Sequence, residues 1–389
     1  MTLFFVLVIF SFILLIAEYW NIRRCVNKIP LRILVNGTRG KSSVTKYIAA
    51  GLRIADKRTI GKITGIIPTI IYPDGSEKII KRIAPARIQE QFKVIRLASK
   101  LSADCLVLEC MSITPALQKL ETTIFRPNIF VITNIRDDHR EQIGNEQEQV
   151  ISLCEAIPSN SIVVTDEKKY FSEIEASAKS KNSSLIYVED SINFKNIDIP
   201  TNVLESNIKI ALAVCKLAKI EKEKSGKPVL EMIKNFEELL FEFPFVDKKI
   251  RFINGFAVND VPSSQEFIDY WEKKLGGFRH LNIIFNSRSD RPLRSLVFAK
   301  WIGTIKNLNG VILIGSHIPR FRLELIRNGI KSQKITVWGK SKIKSVQENL
   351  GKIAGTDLVF IGLGNIAGDG LLLINSLKEN ALVRIDNAN

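Results

Sequence analysis

The residues best equipped for chemistry in this sequence stand together at Asn36-Gly37-Thr38-Arg39-Gly40-Lys41-Ser42-Ser43. Two glycines let a backbone curl so that successive N–H groups converge on an anion. Lys41 is placed to reach terminal phosphates, and the Ser42 hydroxyl to join a magnesium ion. The spacing is Gly-x-x-Gly-Lys-Ser. It is shorter than the Gly-x-x-x-x-Gly-Lys-Ser/Thr pattern because Val35 stands where the first glycine would be. An ordinary strand-to-helix turn can contain the same residue types, so the flanks decide. Leu31 to Val35 reads as a short buried strand, and Val44 to Ala55 as a helix with Val44, Tyr47, Ile48 and Leu52 on its apolar side. Strand, glycine turn and helix form the context a phosphate-binding loop requires, and the helix adds the positive end of its dipole.

Three other groups gather at the ends of apolar runs. Glu109 closes the run Cys105–Glu109. In a doubly wound sheet ligands bind beyond the carboxyl ends of the strands, so a carboxylate there can hold the nucleotide's Mg²⁺. It can equally pair with a neighbouring lysine. Val131-Ile132-Thr133-Asn134-Ile135-Arg136-Asp137-Asp138-His139 ends another strand in polar residues. His139 is a candidate metal ligand that Asp138 could orient, although a lone histidine is more often structural. Asn286-Ser287-Arg288-Ser289-Asp290-Arg291-Pro292 follows a third strand. The guanidinium forks of Arg288 and Arg291 suit carboxylates or phosphates, with local pairing to Asp290 as the alternative. Gly362 to Gly370 is a glycine-rich turn opening a helix. No acidic ribose partner remains after it for a nicotinamide cofactor, so it reads as a turn that packs the last helix or contacts ATP or a subunit.

The elements that must position these groups alternate strand and helix from Pro30 to about Leu240, which predicts a parallel α/β sheet. Strands are expected at Ile33–Val35, Cys105–Glu109, Ile129–Thr133, Ser161–Thr165 and Leu185–Val188. Ile70 to Glu77 predicts a hairpin with an Asp-Gly turn, and Gln89 to Leu101 a helix. Composition shifts after Phe245, so a domain boundary is expected near Asp247: a central domain over 30–246 and a smaller one over 247–389. In the latter, Leu281–Asn286, Gly310–Ile314, Ile335–Val337 and Asp357–Ile361 alternate with helices, again α/β.

The chain has 389 residues, 46% of them hydrophobic, and a net charge of +16. That charge suits an anionic membrane surface or acidic substrate. No RNA-binding aromatic signature or zinc-finger spacing is present, which argues against nucleic acid. Cys25, Cys105, Cys110, Cys154 and Cys215 are odd in number with no Cys-x-x-Cys, as expected of reduced thiols. Three scattered histidines exclude a His-rich metal site. Residues 3–17 carry no charge and, as a helix, span about 25 Å, the short end for crossing a membrane. No basic residue precedes Arg23 and no Ala-x-Ala follows, unlike a cleaved signal. Trp20 and then Arg23, Arg24, Lys28 and Arg32 predict a single-pass anchor over 1–22, N-terminus outside and the rest cytoplasmic. The alternative is a buried helix opening a soluble domain.

Gly-Thr-Arg-Gly-Lys-Ser-Ser, the strand-end Glu109, and Thr-Asn-Ile-x-x-Asp-His with a following Gly together resemble the Mur ligase superfamily. Its members are ATP-dependent amide-bond ligases, with folylpolyglutamate synthetase as a relative. The N-terminal hydrophobic segment, the Asn-Gly-x-Arg-Gly-Lys-Ser loop, Glu109-Cys110-Met111 and Asp138-His139-Arg140 resemble the poly-γ-glutamate synthase ligase branch over nearly the whole length. The resemblance implies a P-loop Mur-ligase-like central domain with a parallel sheet and a Rossmann-like C-terminal domain after a transmembrane helix. It implies ATP with Mg²⁺ (or Mn²⁺), Lys41 on the phosphates, and Ser42, Glu109 and His139 at the metal. It further implies Asn207 near the adenine, Asp260 at the ribose or phosphates, and glutamate substrate near Arg288, Asp290 and Arg291. The partners implied are glutamate, a poly-γ-glutamate chain and other membrane subunits of a synthase complex. The chemistry implied is an acyl phosphate attacked by an amine, with two domains closing to exclude water. A folylpolyglutamate-type ligase and a membrane-complex ATPase making no amide bond are the alternatives. Two departures stand out. A membrane helix replaces the Mur enzymes' domain for a nucleotide-linked substrate, and no lysine lies between His139 and Val164 where many members carry a modified one.

Overall fold

The structure, a computed structural model, describes residues 1–65, 67–82, 86–136, 144–188, 202–218, 240–246, 248–258, 260–288 and 292–386. The chain divides into two compact units, Met1–Ile197 with Val203–Ile233, and Asp198–Asn202 with Lys234–Asn389.

In the first unit, α1 (Thr2–Asn27) leads into β1 (Leu31–Asn36), and the glycine loop leads into α2 (Lys41–Ile54). Then come β2 (Thr59–Ile63), the hairpin β3 (Thr69–Ile71) and β4 (Glu77–Ile79), α3 (Gln89–Lys100), β5 (Cys105–Glu109), α4 (Pro115–Phe125) and β6 (Ile129–Ile132). The unit continues with α5 (Glu146–Ala156), β7 (Ile162–Thr165), α6 (Phe171–Ser180), β8 (Ser184–Tyr187) and α7 (Asn202–Leu217). The strands form one sheet in the order β4-β3-β2-β5-β1-β6-β7-β8, parallel except for the hairpin. Strands buried on both faces of a parallel sheet must be apolar at successive positions. Ile33, Leu34 and Val35 at the centre, Leu106 to Leu108 on one side and Phe130 to Ile132 on the other are fully buried. Each such side chain contributes roughly 1.5–3 kcal/mol relative to exposure. Val35 lies in register with both Glu109 and Val131, so the three strand tips are level.

β2 was not evident in the sequence. Gly61 and the buried Lys62 interrupt its apolar run, yet it pairs with β5 at the carboxyl end, Lys62 beside Leu108.

The second unit holds β9 (Leu240–Phe245), β10 (Lys248–Asn254), α8 (Val261–Lys274), β11 (His280–Ser287), α9 (Pro292–Ile302), β12 (Leu308–Gly315) and α10 (Ile318–Arg327). β13 (Ile335–Val337), α11 (Lys340–Lys344), α12 (Val346–Gly351), β14 (Asp357–Leu363) and α13 (Asp369–Asp386) complete it. The sheet order is β13-β12-β11-β14-β10-β9, parallel except for β9. β9 lies on the first-domain side of the boundary expected near Asp247, but it joins the second sheet. Phe241 and Phe243 alternate inward and pack with Phe252 and Leu350 in that unit's core.

α1 has two parts. Its apolar window, of mean hydropathy 2.4, has no buried residue, and the helix is long and apolar enough to cross a membrane. Its last turns are part of the fold. Ile22 and Val26 enter the first unit's core with Ile29, Val94, Ile95 and Phe125. Glu18 pairs with Arg96 on α3 at 2.6 Å, and the Arg23 guanidinium lies 5.5 Å from the Tyr19 ring centre. Removing residues 1–20 is therefore expected to leave the core intact. Removing residues 1–27 also strips Ile22 and Val26, an expected loss of about 3–6 kcal/mol from their transfer terms. Comparing the melting temperatures of the two truncations checks this: equal values would show that the last turns of α1 do not hold the core.

Candidate active site

The glycine loop is shaped by the strand tip beside it. Gly37 has φ +121°, and a Cβ there would come within 2.3 Å of Thr133 Oγ1. Gly40 caps α2 at φ +78°, and a Cβ there would strike the Asn207 carboxamide at 2.3 Å. Both positions thus require glycine for conformation and for space. The Thr38 N–H donates to the Asn134 carbonyl at 2.9 Å, and the Arg39 N–H to Asn134 Oδ1 at 3.0 Å. Thr133 Oγ1 and Asn134 Nδ2 donate to the Arg39 carbonyl at 2.6 and 3.2 Å, and the Arg136 N–H to Thr38 Oγ1 at 3.1 Å. α2 begins at Lys41, so the N–H groups of its first turn open onto this loop, as anion binding at a helix start requires.

Lys41 folds over its own loop, Nζ donating to the Gly37 carbonyl at 2.6 Å. Ser42 Oγ donates to Glu109 Oε2 at 2.9 Å, and the Thr64 N–H donates to the same oxygen at 2.6 Å. Among the described residues Glu109 Oε1 has no hydrogen-bond partner. The buried Glu109 thus faces the loop from the adjacent strand, and among the described residues no lysine pairs with it. A hydroxyl and a carboxylate side by side are the hard oxygen donors that Mg²⁺ takes when phosphates and water complete its shell, so the residues present fit that ion. Among the described residues no three His, Cys, Asp or Glu side chains cluster as a self-sufficient metal site.

The other expected residues divide by location. Asn36 turns its carboxamide inward, accepting from the Gly37 N–H and donating to Gln118 at 2.8 Å each, so what it holds is the loop itself. Ser43 is half-buried in the first turn of α2. Asn207, on α7, lies against Gly40, buried with no hydrogen-bond partner on Oδ1 among the described residues. Asp260 caps α8, accepting from the Ser263 N–H at 3.0 Å. Arg288 follows β11 in the second unit. His139, Asp290 and Arg291 lie outside the described residues. The Gly362–Gly370 turn packs against β11 and β12: Asn286 Nδ2 donates to the carbonyls of Asn365 and Ala367 at 2.6 and 2.7 Å, and the Gly315 N–H donates to Asp369 at 3.2 Å.

Three supporting groups were not singled out in the sequence. Glu121, on α4, is buried and accepts from Gln91 Nε2 at 2.5 Å, from Ser112 Oγ at 2.7 Å and from the N–H groups of Met111 and Ser112. It fixes the chain immediately after Glu109. Burial, and then the Glu121 carboxylate, push the Cys110 thiol well up, so this cysteine is no nucleophile. Lys62 is wholly buried with Nζ 3.5 Å from Glu90, which also holds Arg82 at 2.7 and 2.9 Å. Burial lowers the Lys62 amine against the opposing pull of Glu90 and Glu121. Asp166, after β7, accepts from Ser206 on α7, which ties the helix carrying Asn207 to the sheet; burial raises its carboxyl. The polar run Thr165-Asp166-Glu167 after an apolar strand was the available signal for Asp166. Lys62 gave none, since it is a lone charge in its strand, and Glu121 none, since beside Lys119 it reads as part of an ordinary polar helix face.

Glu121→Ala leaves the Ser112 hydroxyl and the N–H groups of Met111 and Ser112 without an acceptor and leaves Gln91 Nε2 only the Glu109 carbonyl, at an expected cost of about 3–5 kcal/mol. Glu121→Gln, which keeps one acceptor oxygen, should lie between the mutant and the parent. Urea denaturation of the three proteins measures the order, and an Ala variant as stable as the parent would remove Glu121 from the site's support.

The sequence matches the Mur ligase middle domain over residues 35–227 and the poly-gamma-glutamate synthase CapB C-terminal domain over residues 240–380. It is 29% identical over 396 residues to the capsule biosynthesis protein CapB of Bacillus anthracis, covering 97% of this chain and 83% of that protein. It is 28% identical over 378 residues to the PGA synthase CapB of Bacillus subtilis (strain 168), covering 94% of each. Among solved structures it resembles the bifunctional folylpolyglutamate synthase/dihydrofolate synthase of Yersinia pestis complexed with AMPPNP and Mn ion. There the TM-score is 0.66 at 12% identity, over 94% of this chain and 93% of that one, a likeness of fold. A Mur ligase middle domain carrying the glycine loop and Glu109, followed by a CapB C-terminal domain, shows that the chain belongs to the Mur ligase family of ATP-dependent amide ligases, in its poly-γ-glutamate synthase CapB branch.

Proposed function

We propose that this chain is a membrane-anchored ligase that joins glutamate through γ-linkages, driven by ATP and Mg²⁺. The observation that carries the reading is the Ser42–Glu109 pair set against the glycine loop. It joins a phosphate cradle to an oxygen-donor pair at the level tips of adjacent parallel strands.

The γ-phosphoryl group of ATP passes to the carboxylate of the growing chain, giving ADP and an acyl phosphate. The amine of the incoming glutamate attacks the acyl carbon, a C–N bond forms, phosphate leaves and the amine loses a proton. Lys41, already over the loop, and the first N–H groups of α2 offset charge on the transferring group. Ser42 and Glu109 would hold the metal, with His139 as the third proposed ligand. When bound, Mg²⁺ supplies charge neutralisation on the phosphoryl oxygens. Asn207 is assigned to the adenine, on its contact with Gly40 and its open Oδ1. Thr38 and Arg39 present the loop's backbone, Asp260 is assigned to the ribose or phosphates, and Arg288, Asp290 and Arg291 to substrate carboxylates. We assign α1 as the membrane anchor, with both units in the cytoplasm and other membrane subunits as partners.

Lys41→Ala is expected to lower glutamate-dependent phosphate release by at least about a hundredfold. The fold should survive, because among the described residues Lys41 Nζ bonds only to carbonyls of its own loop. Turnover like that of the parent would sink the phosphate-loop assignment. ATP hydrolysis indifferent to glutamate would favour an ATPase that makes no amide bond.

Glu109→Ala and His139→Ala should each keep much of their nucleotide binding and lose about ten- to a hundredfold in activity, as removal of groups supporting a metal does. Raised Mg²⁺ or Mn²⁺ should restore part of the activity in at least one. Melting temperature and metal-dependent turnover, taken on the same samples, decide the matter. Unchanged metal dependence in both variants would refute the metal assignment.

A further inference from the structure

The glycine loop occupies the carboxyl ends of the strands. At their amino ends the first unit has a second concave site, a cavity of about 550 Å³ at the starts of β1, β6 and β7. Four cations, Arg32, Lys119, Arg126 and Lys181, line it against one acid, Glu155. Arg32 is locked by donation to the carbonyls of Ile29 and Arg126 at 2.6 and 2.9 Å. Lys181 is held by the carbonyls of Cys154, Glu155 and Ile157 at the end of α5, at 2.7–2.9 Å. These two serve the fold as well as the cavity. Lys119 and Arg126 are exposed and make no ion pair or side-chain hydrogen bond among the described residues. Burial, and then Arg126, lower the Arg32 guanidinium; burial, and then Lys119, lower the Lys181 amine. The cations therefore face one another without enough negative charge between them.

The location supplies the occupant. Ile29, whose carbonyl Arg32 holds, lies two residues past the end of α1 and six after Arg23. Arg23 follows the apolar part of α1 and its interfacial Trp20. We propose that this cavity binds the phosphate headgroup of an anionic membrane lipid, Lys119 and Arg126 supplying the contacts and Arg32 and Lys181 the fixed positive wall. The proposal rests on α1 being a membrane anchor. Basic residues beside an anionic leaflet each contribute roughly fivefold to its binding.

The test uses the full chain in nanodiscs of phosphatidylcholine, with and without phosphatidylglycerol carrying a photoreactive headgroup, and maps the adducts by mass spectrometry. Adducts are expected on α1 and on the peptides bearing Lys119 to Asn128. In Lys119→Gln/Arg126→Gln the second set should fall roughly twenty-five-fold while the first is unchanged. Melting temperature and ATP turnover in detergent should also be unchanged, since neither side chain belongs to the nucleotide site. Adducts on α1 with none at the cavity would overturn the lipid site and leave the anchor standing. Absence of both would remove the anchor reading as well. Protection of the cavity by soluble glycerophosphate with no lipid adduct there would assign it to a free phosphate, and displacement of the lipid by poly-γ-glutamate would assign it to the polymer; either overturns the proposal.

Discussion

The site depends on the contact between the glycine loop and the tip of β6. A loop built from Gly37 and Gly40 has little side-chain bulk of its own to hold a shape. Thr133 and Asn134 hold it, the first through the Arg39 carbonyl, the second through the N–H groups of Thr38 and Arg39. The space that a Cβ would occupy at Gly37 is filled by Thr133, and at Gly40 by Asn207. Loop, second strand tip and α7 are therefore one packed body, and a substitution at any of the three moves the others.

A second constraint supports the first from below. Glu109 can face Ser42 only while the chain after it is fixed, and the fixing is done by a buried carboxylate, Glu121, with donors from two other segments. Buried polar groups of this kind are stable only when fully partnered. The β2 edge has the same character: Lys62 is tolerable inside because Glu90 meets it, and Glu90 in turn holds Arg82. The acid–amide pair Glu90-Gln91 at the start of α3 thus serves two networks at once.

The parts of this arrangement that were legible in the sequence were those with local signatures. A glycine turn between a strand and a helix located the phosphate loop, and unbroken apolar runs located β5, β6, β11 and β14 to within two residues. β2 escaped because a buried lysine breaks its pattern, and its partner Glu90 is distant in sequence. Glu121 escaped because its function is to accept hydrogen bonds from segments ten and thirty residues away, which no local window contains. β9 was assigned to the wrong side of a boundary because composition changes after Phe245, whereas pairing with β10 is set by the short turn that follows.

The junction between α1 and the first unit has a mechanical consequence. Ile22 and Val26 are core residues, Glu18 is clamped to Arg96, and only Lys28-Ile29-Pro30 separate the helix from the central strand. Such a junction is a stiff bracket, where a flexible tether would let the unit tumble. The angle between α1 and the sheet is then built into the unit's hydrophobic core. Any change in the angle of α1 is transmitted directly to α3, the helix whose Gln91 holds the Glu109 carbonyl.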